Sequence, residues 1–380
     1  MQPLIVASDL HLSAEASPRT LAALADLLRA GAGHEIILAG DVFNLSWEAP
    51  GHAPVEAVLA LLDALPELKA ALRAHLAQGH ALTLIAGNHD AGVMAPDLCS
   101  ALIGKLELSP DAPLAVEPWF VRRGSVHVEH GHFYDPDNAP AHPLAEWSAE
   151  TEPLGIAITR RFLRPTGIYH FSHAHDTTPL AAIAKAFRAY GARTPELIAN
   201  WFRVASSLCL ETRARSRFDS ELAAGEAALE EFARHVELDA TALRALLEAG
   251  AVPTHRDLRQ TFMRLYFDRV FASGGLVLGA AAFLAKRSGV GALFSLISGL
   301  YLLQSVQRTG NRYEDLPVER LRAAAERIRE LTGASEVILG HTHQVDHVPG
   351  YANSGSFGYS ARGRPYVRVD ETGATELRRV

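Results

Sequence analysis

The stretch Glu35-Ile36-Ile37-Leu38-Ala39-Gly40-Asp41-Val42-Phe43-Asn44 decides the reading of this chain. Ile36 to Ala39 is a short apolar run that reads as a buried strand. Gly40 ends it and lets the backbone turn sharply. The Asp41 carboxylate then stands at the strand's carboxyl end, where open α/β sheets place their ligands. A single Gly-Asp is also an ordinary turn. The construction recurs, however. Leu4 to Ser8 leads into Asp9-Leu10-His11, and Leu82 to Ala86 into Gly87-Asn88-His89-Asp90. Val126 to Glu129 leads into His130-Gly131-His132, and Val337 to Leu339 into Gly340-His341-Thr342-His343. Five apolar runs each end in groups that bind metals.

The chain has 380 residues, room for one large domain or two ordinary ones. With 48% hydrophobic and 21% charged residues its composition is globular. A net charge of −7 argues against nucleic-acid binding driven by bulk charge. The charge is uneven: Ile156 to Arg217 holds ten basic residues against three acidic ones, and Phe218 to Val252 eight acidic against two basic. Such a segment is either a solvated helical surface or a basic wall for an anionic substrate. Cys99 and Cys209 are too few for a disulfide framework and suit buried structural thiols in a reducing compartment. The start, Met1-Gln2-Pro3, lacks the basic region of a signal peptide, so a cytoplasmic location is expected.

Helical periodicity over Pro18 to Ala30 follows the first strand, with Gly31 as its stop. Pro54 to Gln78 reads as two helices, the second opened by Pro66. Pro96 to Leu106 is a shorter helix, and Glu117 to Arg122 with Ser125 to Glu129 reads as a hairpin. Strand–helix alternation predicts a mostly parallel sheet with flanking helices. Residues 1–149 and 317–380 are expected to form an α/β core. Residues 150–316 show only helical patterns and are expected to be one all-helical insertion, a lid or a membrane-facing body. The tail, Tyr351 to Ser356 and two strands around Asp370-Glu371-Thr372-Gly373, is expected to close a second sheet.

Carboxylates, imidazoles and an amide together suit borderline divalent ions. Two ions roughly 3.5–4 Å apart need an anionic bridge between them, and Asp41 is the natural one. In an extended segment, side chains at i and i+2 project to one side, so Asp9 with His11, and His341 with His343, can each reach one ion.

These five motifs, present in order, resemble those of the calcineurin-like metallophosphoesterases, and Asn353-Ser354-Gly355-Ser356 is similar to that family's tail. The resemblance covers roughly residues 1–140 and 318–370. It implies a four-layer αββα sandwich carrying the helical insertion. It implies that Asp9, His11, Asp41 and His343 hold a first metal ion, and Asp41, Asn88, His130 and His341 a second. Mn²⁺ is the favoured ion, with Fe²⁺, Zn²⁺ and Mg²⁺ as alternatives. His89 would contact the phosphate without ligating metal, and Asp90 would orient His89 by a hydrogen bond. The reaction implied is in-line attack of a metal-held hydroxide on a phosphomonoester, phosphodiester or pyrophosphate. His132 is left as a ligand's neighbour or a structural hydrogen-bonder. For His173 and His175, surface or substrate contact is favoured over a metal role.

The chain is also distantly similar to the UDP-2,3-diacylglucosamine hydrolases, which begin with a like Asp-x-His motif and carry a helical lid for acyl chains. It departs from them at His89, where they usually have Arg, and in its longer insertion. Lipid-linked phosphate or pyrophosphate is the leading substrate class. The alternatives are a soluble phosphodiesterase or phosphatase acting on nucleotides, and a non-catalytic scaffold. A scaffold should have lost ligands, and here none is missing. Nuclease action is disfavoured by the absence of a long basic stripe.

Gly274 to Leu303 is the most apolar part of the chain. Lys286 and Arg287 divide it into pieces expected to reach about 18 Å and 24 Å as helices, short of the roughly 30 Å bilayer core. This argues against spanning. A buried hairpin and an apolar lid or interfacial hairpin remain, the latter favoured, with peripheral contact at the inner face of the membrane.

Overall fold

The computed structural model describes residues 1–47, 53–168, 179–212, 216–286, 289–308 and 316–380. His173 and His175 lie outside them. The chain begins with β1 (Leu4–Ala7), α1 (Pro18–Ala30), β2 (Glu35–Ala39), α2 (Pro54–Ala64), α3 (Pro66–Ala77) and β3 (Leu82–Ile85). Next are α4 (Leu98–Lys105), β4 (Leu114–Glu117), β5 (Phe120–Arg123) and β6 (Val126–Glu129). Helices follow: α5 (Leu154–Ile158), α6 (Arg164–Thr166), α7 (Pro179–Tyr190), α8 (Thr194–Glu211), α9 (Ser216–His235) and α10 (Ala240–Ala249). They continue as α11 (Leu258–Arg264), α12 (Phe267–Lys286), α13 (Gly289–Arg308) and α14 (Leu316–Thr332). The chain closes with β7 (Glu336–Leu339), β8 (Val345–Val348), β9 (Tyr351–Ser354), β10 (Pro365–Val369) and β11 (Thr375–Arg379).

Two compact units result. The first comprises Met1–Arg160, Ser216–Pro253 and Pro317–Val380; the second comprises Arg161–Arg215 and Thr254–Leu316. The first unit is an αββα sandwich. One sheet has the order β11-β10-β1-β2-β3-β4 and the other β5-β6-β7-β9-β8. Strands β1 to β4 are parallel, in the register Leu4 opposite Glu35, Ile36 opposite Leu82 and Leu82 opposite Leu114.

Strand alternation fills three apolar layers. Leu4, Val6, Ile37, Ala39 and Ile85 of the first sheet meet Val126, Val128 and Ile338 of the second. The opposite faces carry Ile5, Ile36, Leu38 and Leu84, which pack under α1 to α4. On the far side, Phe120, Val337 and Leu339 pack under α9, α10 and α14. Helix α1 begins where expected, because the Ser17 side chain accepts a hydrogen bond from Thr20 N at 3.1 Å.

The sequence reading is corrected at three places in this unit. The expected hairpin forms, with Phe120–Arg123 antiparallel to Val126–Glu129, but its first arm does not reach back through Pro118, which has no N–H to give to a ladder. Leu114–Glu117 before it is a parallel edge strand of the first sheet, and Phe120–Arg123 after it belongs to the second. The two last strands do not close the second sheet: β10 pairs antiparallel with β1 in the first. Finally, Ser216–Pro253, expected within the 150–316 insertion, is part of the first unit. Phe232 lies edge-on to Phe120, ring centroids 5.2 Å apart, and stacks on Trp119 at 6.0 Å. Leu229, Leu243 and Leu246 are fully buried with them. The basic and acidic stretches of the insertion thus fall largely in different units.

In the second unit α12 and α13 run antiparallel. Tyr301 OH donates to Asp268 Oδ2 at 2.7 Å, and Ser295 Oγ donates to the Leu276 carbonyl at 2.9 Å. Each helix has 20 residues, about 30 Å of length. The expected pieces of 18 and 24 Å are therefore too short: the helices extend back to Phe267 and on to Arg308, and Lys286 ends the first instead of interrupting it. The buried-hairpin alternative also fails, because Leu284 and Val290 are 78% and 77% exposed.

The packing of α9 makes a stability prediction. Phe232→Ala should destabilise the first unit by about 3–5 kcal/mol in urea unfolding. Leu210→Ala, at a position 59% exposed, should cost less than about 0.5 kcal/mol. Equal effects at the two sites would contradict the placement of α9 in the core.

Candidate metal centre

The ends of β1, β2 and β7 deliver their residues by the same local device. After β1 and β2 the chain does not stay extended. Asp9, His11 and Asp41 have φ of 55°, 48° and 52°, and His341 and His343 have 70° and 58°. Left-handed backbone is uncommon for residues with side chains and clusters at functional sites. It corrects the expected route: Asp9 and His11, like His341 and His343, converge through left-handed turns, not through the alternation of an extended segment. The turns are clamped to one another. Asp9 N donates to the Gly40 carbonyl at 3.1 Å, His11 N to Asp41 O at 2.8 Å, and Gly340 N to His130 O at 2.9 Å. Two glycines leave room for this convergence. A Cβ on Gly87 would collide with the Asp41 carboxylate, and one on Gly40, at φ 83°, would stand 2.5 Å from His130 Nδ1.

Asp41 is fully buried and sits in the middle. Its Oδ1 accepts from His89 N at 2.8 Å. Its Oδ2 lies 3.3 Å from His130 Nε2 and 3.8 Å from His11 Nε2. On one side, His11 Nε2 is 3.0 Å from His343 Nε2, which is 3.2 Å from Asp9 Oδ1. On the other, His130 Nε2 is 3.1 Å from Asn88 Oδ1. The His341 ring stands edge-on to that of His130, centroids 5.3 Å apart, and His341 N donates to Asp9 Oδ2 at 2.9 Å. Three sets of ligand atoms lie close enough to share an ion: Asp9, His11 and His343; His11, Asp41 and His89; Asp9, Asp41 and His130. Five of the seven expected ligands, with His89, fall in these sets, and Asn88 and His341 stand beside His130. His132, also buried, packs its ring 5.3 Å from that of His130, with its Nδ1 lacking a hydrogen bond.

Further residues orient these groups. His130 Nδ1 faces the Ala39 carbonyl at 2.9 Å, which puts the proton on Nδ1 and leaves the Nε2 lone pair for a ligand. His341 Nε2 donates to Asp135 Oδ2 at 3.0 Å, so its Nδ1 is the free ring nitrogen. Asn88 gives its Nδ2 to Asn138 Oδ1 at 3.1 Å, and Asn138 Nδ2 donates to Asp135 Oδ2 at 2.7 Å. Sequence alone does not single out Asp135 and Asn138, because a loop of Asp, Asn and Pro reads first as turn formers. Ser46 had no signal at all, yet its Oγ is 2.6 Å from His89 Nδ1. The Ser46 hydroxyl donates to Asn44 Oδ1, so its oxygen accepts from His89 Nδ1–H and leaves Nε2 facing the site. Asp90 does not orient His89, as the sequence reading had it. Its two oxygens accept from the backbone N–H groups of Gly87, Asp41 and Phe43 at 2.8, 3.1 and 3.0 Å, which fastens the bridging turn to the β3 loop.

The electrostatics fit a pocket that binds cations. Burial would drive the proton off His130, but the Asp41 and Asp9 carboxylates overcome it and raise its pKa to about 10. Burial also opposes charge on Asp41, yet His130 and His89 hold it well below the ordinary range. Burial and the neighbouring Asp41 charge push Asp90 up to about 7. Asp9 Oδ1 and His11 Nδ1 are buried without a hydrogen bond of good geometry. Two buried carboxylates among imidazole nitrogens need positive charge, which divalent ions would supply.

A family model for calcineurin-like phosphoesterases matches residues 2–193. The chain belongs to that family. The match stops short of His341 and His343, which the fold delivers to the same pocket. No curated protein matches the chain.

Two substitutions test this arrangement. Asp41→Asn should lower metal content at both positions, since one oxygen faces both histidine sets; an Asn variant holding two ions per chain would refute the bridge. Asp135→Asn should weaken one site only, by about 10- to 100-fold in titrations with Mn²⁺, with the unfolding midpoint little changed.

Proposed function

We propose that the protein is a phosphoester hydrolase with a dinuclear metal centre, acting on a lipid-linked phosphate or pyrophosphate. The observation that carries the hydrolase reading is the Asp41 carboxylate, whose Oδ2 faces His11 on one side and His130 on the other. Asp9, His11, Asp41 and His343 would hold one ion, and Asp41, Asn88, His130 and His341 the other. Bound there, two divalent ions, with manganese the first choice, would polarise the phosphoryl oxygens and lower the pKa of water.

The chain's own groups then do the rest. The Ala39 carbonyl and Asp135 fix which nitrogens of His130 and His341 face inward. Ser46 holds His89 with Nε2 toward the pocket, an acceptor in the neutral ring and a donor once protonated. That atom suits contact with a phosphoryl oxygen and proton delivery to the leaving oxygen. Tyr359 lies over this side, its ring 5.1 Å from His11 and 5.8 Å from His343, and offers an apolar wall to the ester group. A full ligand set argues against a non-catalytic scaffold. The lipid part of the reading is supported by the exposed apolar helices α12 and α13. A soluble nucleotide phosphodiesterase or phosphatase is the second reading, favoured by the uncommitted phosphoester chemistry of the pocket itself.

His89→Ala should leave metal content near normal and lower kcat by roughly 10²-fold or more. Ser46→Ala should reduce kcat less, with KM little affected and the pH profile displaced. Loss of metal from His89→Ala would make that residue a ligand. For the substrate, Mn²⁺-loaded protein should turn over a lipid-linked pyrophosphate faster than any nucleotide or generic diester; the reverse ranking selects the nucleotide reading.

A further inference from the structure

The α12–α13 pair has the polarity of a soluble helix pair turned inside out. Several of its polar groups pair across the interface between the two helices. Ser298 is buried, Ser295 bonds the Leu276 carbonyl, Tyr301 bonds Asp268, and Arg269 Nε donates to Ser305 Oγ at 3.0 Å. Its backbones meet through glycines. A Cβ on Gly279 would stand 2.8 Å from the Gly291 carbonyl, and one on Gly291 2.8 Å from that of Gly279. Its large apolar side chains face outward: Val277, Leu278, Leu284, Val290, Leu296, Ile297 and Leu300 are all exposed. Only 17% and 11% of the apolar windows of the two helices are buried. In water this arrangement has no driving force, whereas in hydrocarbon small residues and inward hydrogen bonds are what hold helices together.

Length and charge agree. Between Arg269 and Lys286, and again between Gly289 and Gln307, there is no Asp, Glu, Lys or Arg. The charged residues stand at the ends: Asp268, Arg269 and Arg308 at one, Lys286 and Arg287 at the other. Each helix has 20 residues, about 30 Å; the charge-free parts, 270–285 and 289–307, reach about 24 Å and 28 Å, close to a hydrocarbon core of roughly 30 Å once the charged ends lie in the headgroup layer. An interfacial helix would carry one apolar stripe and a charged face; these carry none.

We propose that α12 and α13 form a hairpin that crosses a lipid bilayer twice and anchors the enzyme there. A double crossing returns the chain to the side it left, so residues before Phe267 and after Arg308 share one face. In sequence, Arg256, Arg259 and Arg264 precede the hairpin, Arg269 and Arg308 stand at its outer ends and Arg312 follows it, against Lys286 and Arg287 in the connection between its two halves. By the positive-inside rule the catalytic body is cytoplasmic and the tip is on the far side. The inference extends the lipid reading above but does not need the metal centre: membrane retention reports the anchor, and turnover of a soluble diester reports the hydrolase.

The full chain should remain in the membrane pellet after high-salt and alkaline carbonate washes. Val277→Arg with Ile297→Arg, both outward at mid-helix, should lower the carbonate-resistant share by about tenfold or more, while diester turnover in detergent persists. Because that variant could be lost to aggregation, a second measurement decides topology. The protein is reconstituted into sealed vesicles of phosphatidylethanolamine and phosphatidylglycerol, with Ser288→Cys at the tip or Gln307→Cys at the base, in a chain lacking Cys99 and Cys209. An impermeant maleimide should label the two positions from opposite sides. Labelling of both from one side means an interfacial hairpin and overturns the crossing. Release by carbonate, or recovery without detergent as a soluble dimer of defined mass, overturns the anchor and makes a second copy of the chain the hairpin's cover.

Discussion

A carboxylate buried where two imidazole sets meet cannot be left without positive charge, and Asp41 places that demand on the whole catalytic unit. Desolvating such a group is costly unless charge and hydrogen bonds compensate it. The surrounding structure supplies both. His89 N donates to one oxygen, and the other faces His130 and His11. The high affinity of His130 for a proton shows the charge that the carboxylates call for. Metal ions answer the same need with geometry as well as charge. Asp90 beneath accepts three backbone N–H groups and so fastens the turn carrying Asp41 to the loop carrying Asn88 and His89.

Meeting that demand requires an irregular backbone. Five of the ligand candidates lie in left-handed conformations, each costing of the order of 1–3 kcal/mol elsewhere. They persist because parallel strands over-determine them. The register of β1 beside β2 continues past the strand ends as His11 N to Asp41 O and Leu12 N to Val42 O. The apolar layer between the sheets, built from Leu4, Val6, Ile37 and their partners, makes this register stiff. A slip by one residue would turn all of them outward.

The second unit is built on the opposite solvent logic. In the sandwich, apolar side chains point inward and the ligands occupy strand ends. In the α12–α13 hairpin, Gly275, Gly279, Gly291 and Ser298 lie at the interface, and leucine and valine side chains largely at the exterior. One chain thus holds a sandwich whose apolar side chains are buried and a hairpin whose apolar side chains are largely exposed, with no Asp, Glu, Lys or Arg between Arg269 and Lys286 or between Gly289 and Gln307.

The candidate ligands stand out in the sequence because each follows a short apolar run, and strand followed by Gly or Asp is a local signal. Helix α1 and the break before Pro66 were legible from local periodicity and proline placement, and the two-sheet sandwich from the resemblance of the motifs. What was not legible depends on partners distant along the chain. Ser46 reaches His89 across 43 positions and Asp135 reaches His341 across 206; neither carries a mark that separates it from a turn or loop residue. The role given to Asp90 followed its adjacency to His89, whereas its side chain points to the backbone of another loop. Helix α9 reads as a solvated amphipathic helix until Phe232 is seen against Trp119 and Phe120. By itself the sequence determined which residues can ligate and at which strand ends they stand, since both follow from local pattern. Only the tertiary structure decided which atom of each faces the pocket, which sheet the last strands join and which side of the hairpin is apolar, because these are settled by packing and hydrogen bonds between segments that the chain keeps far apart.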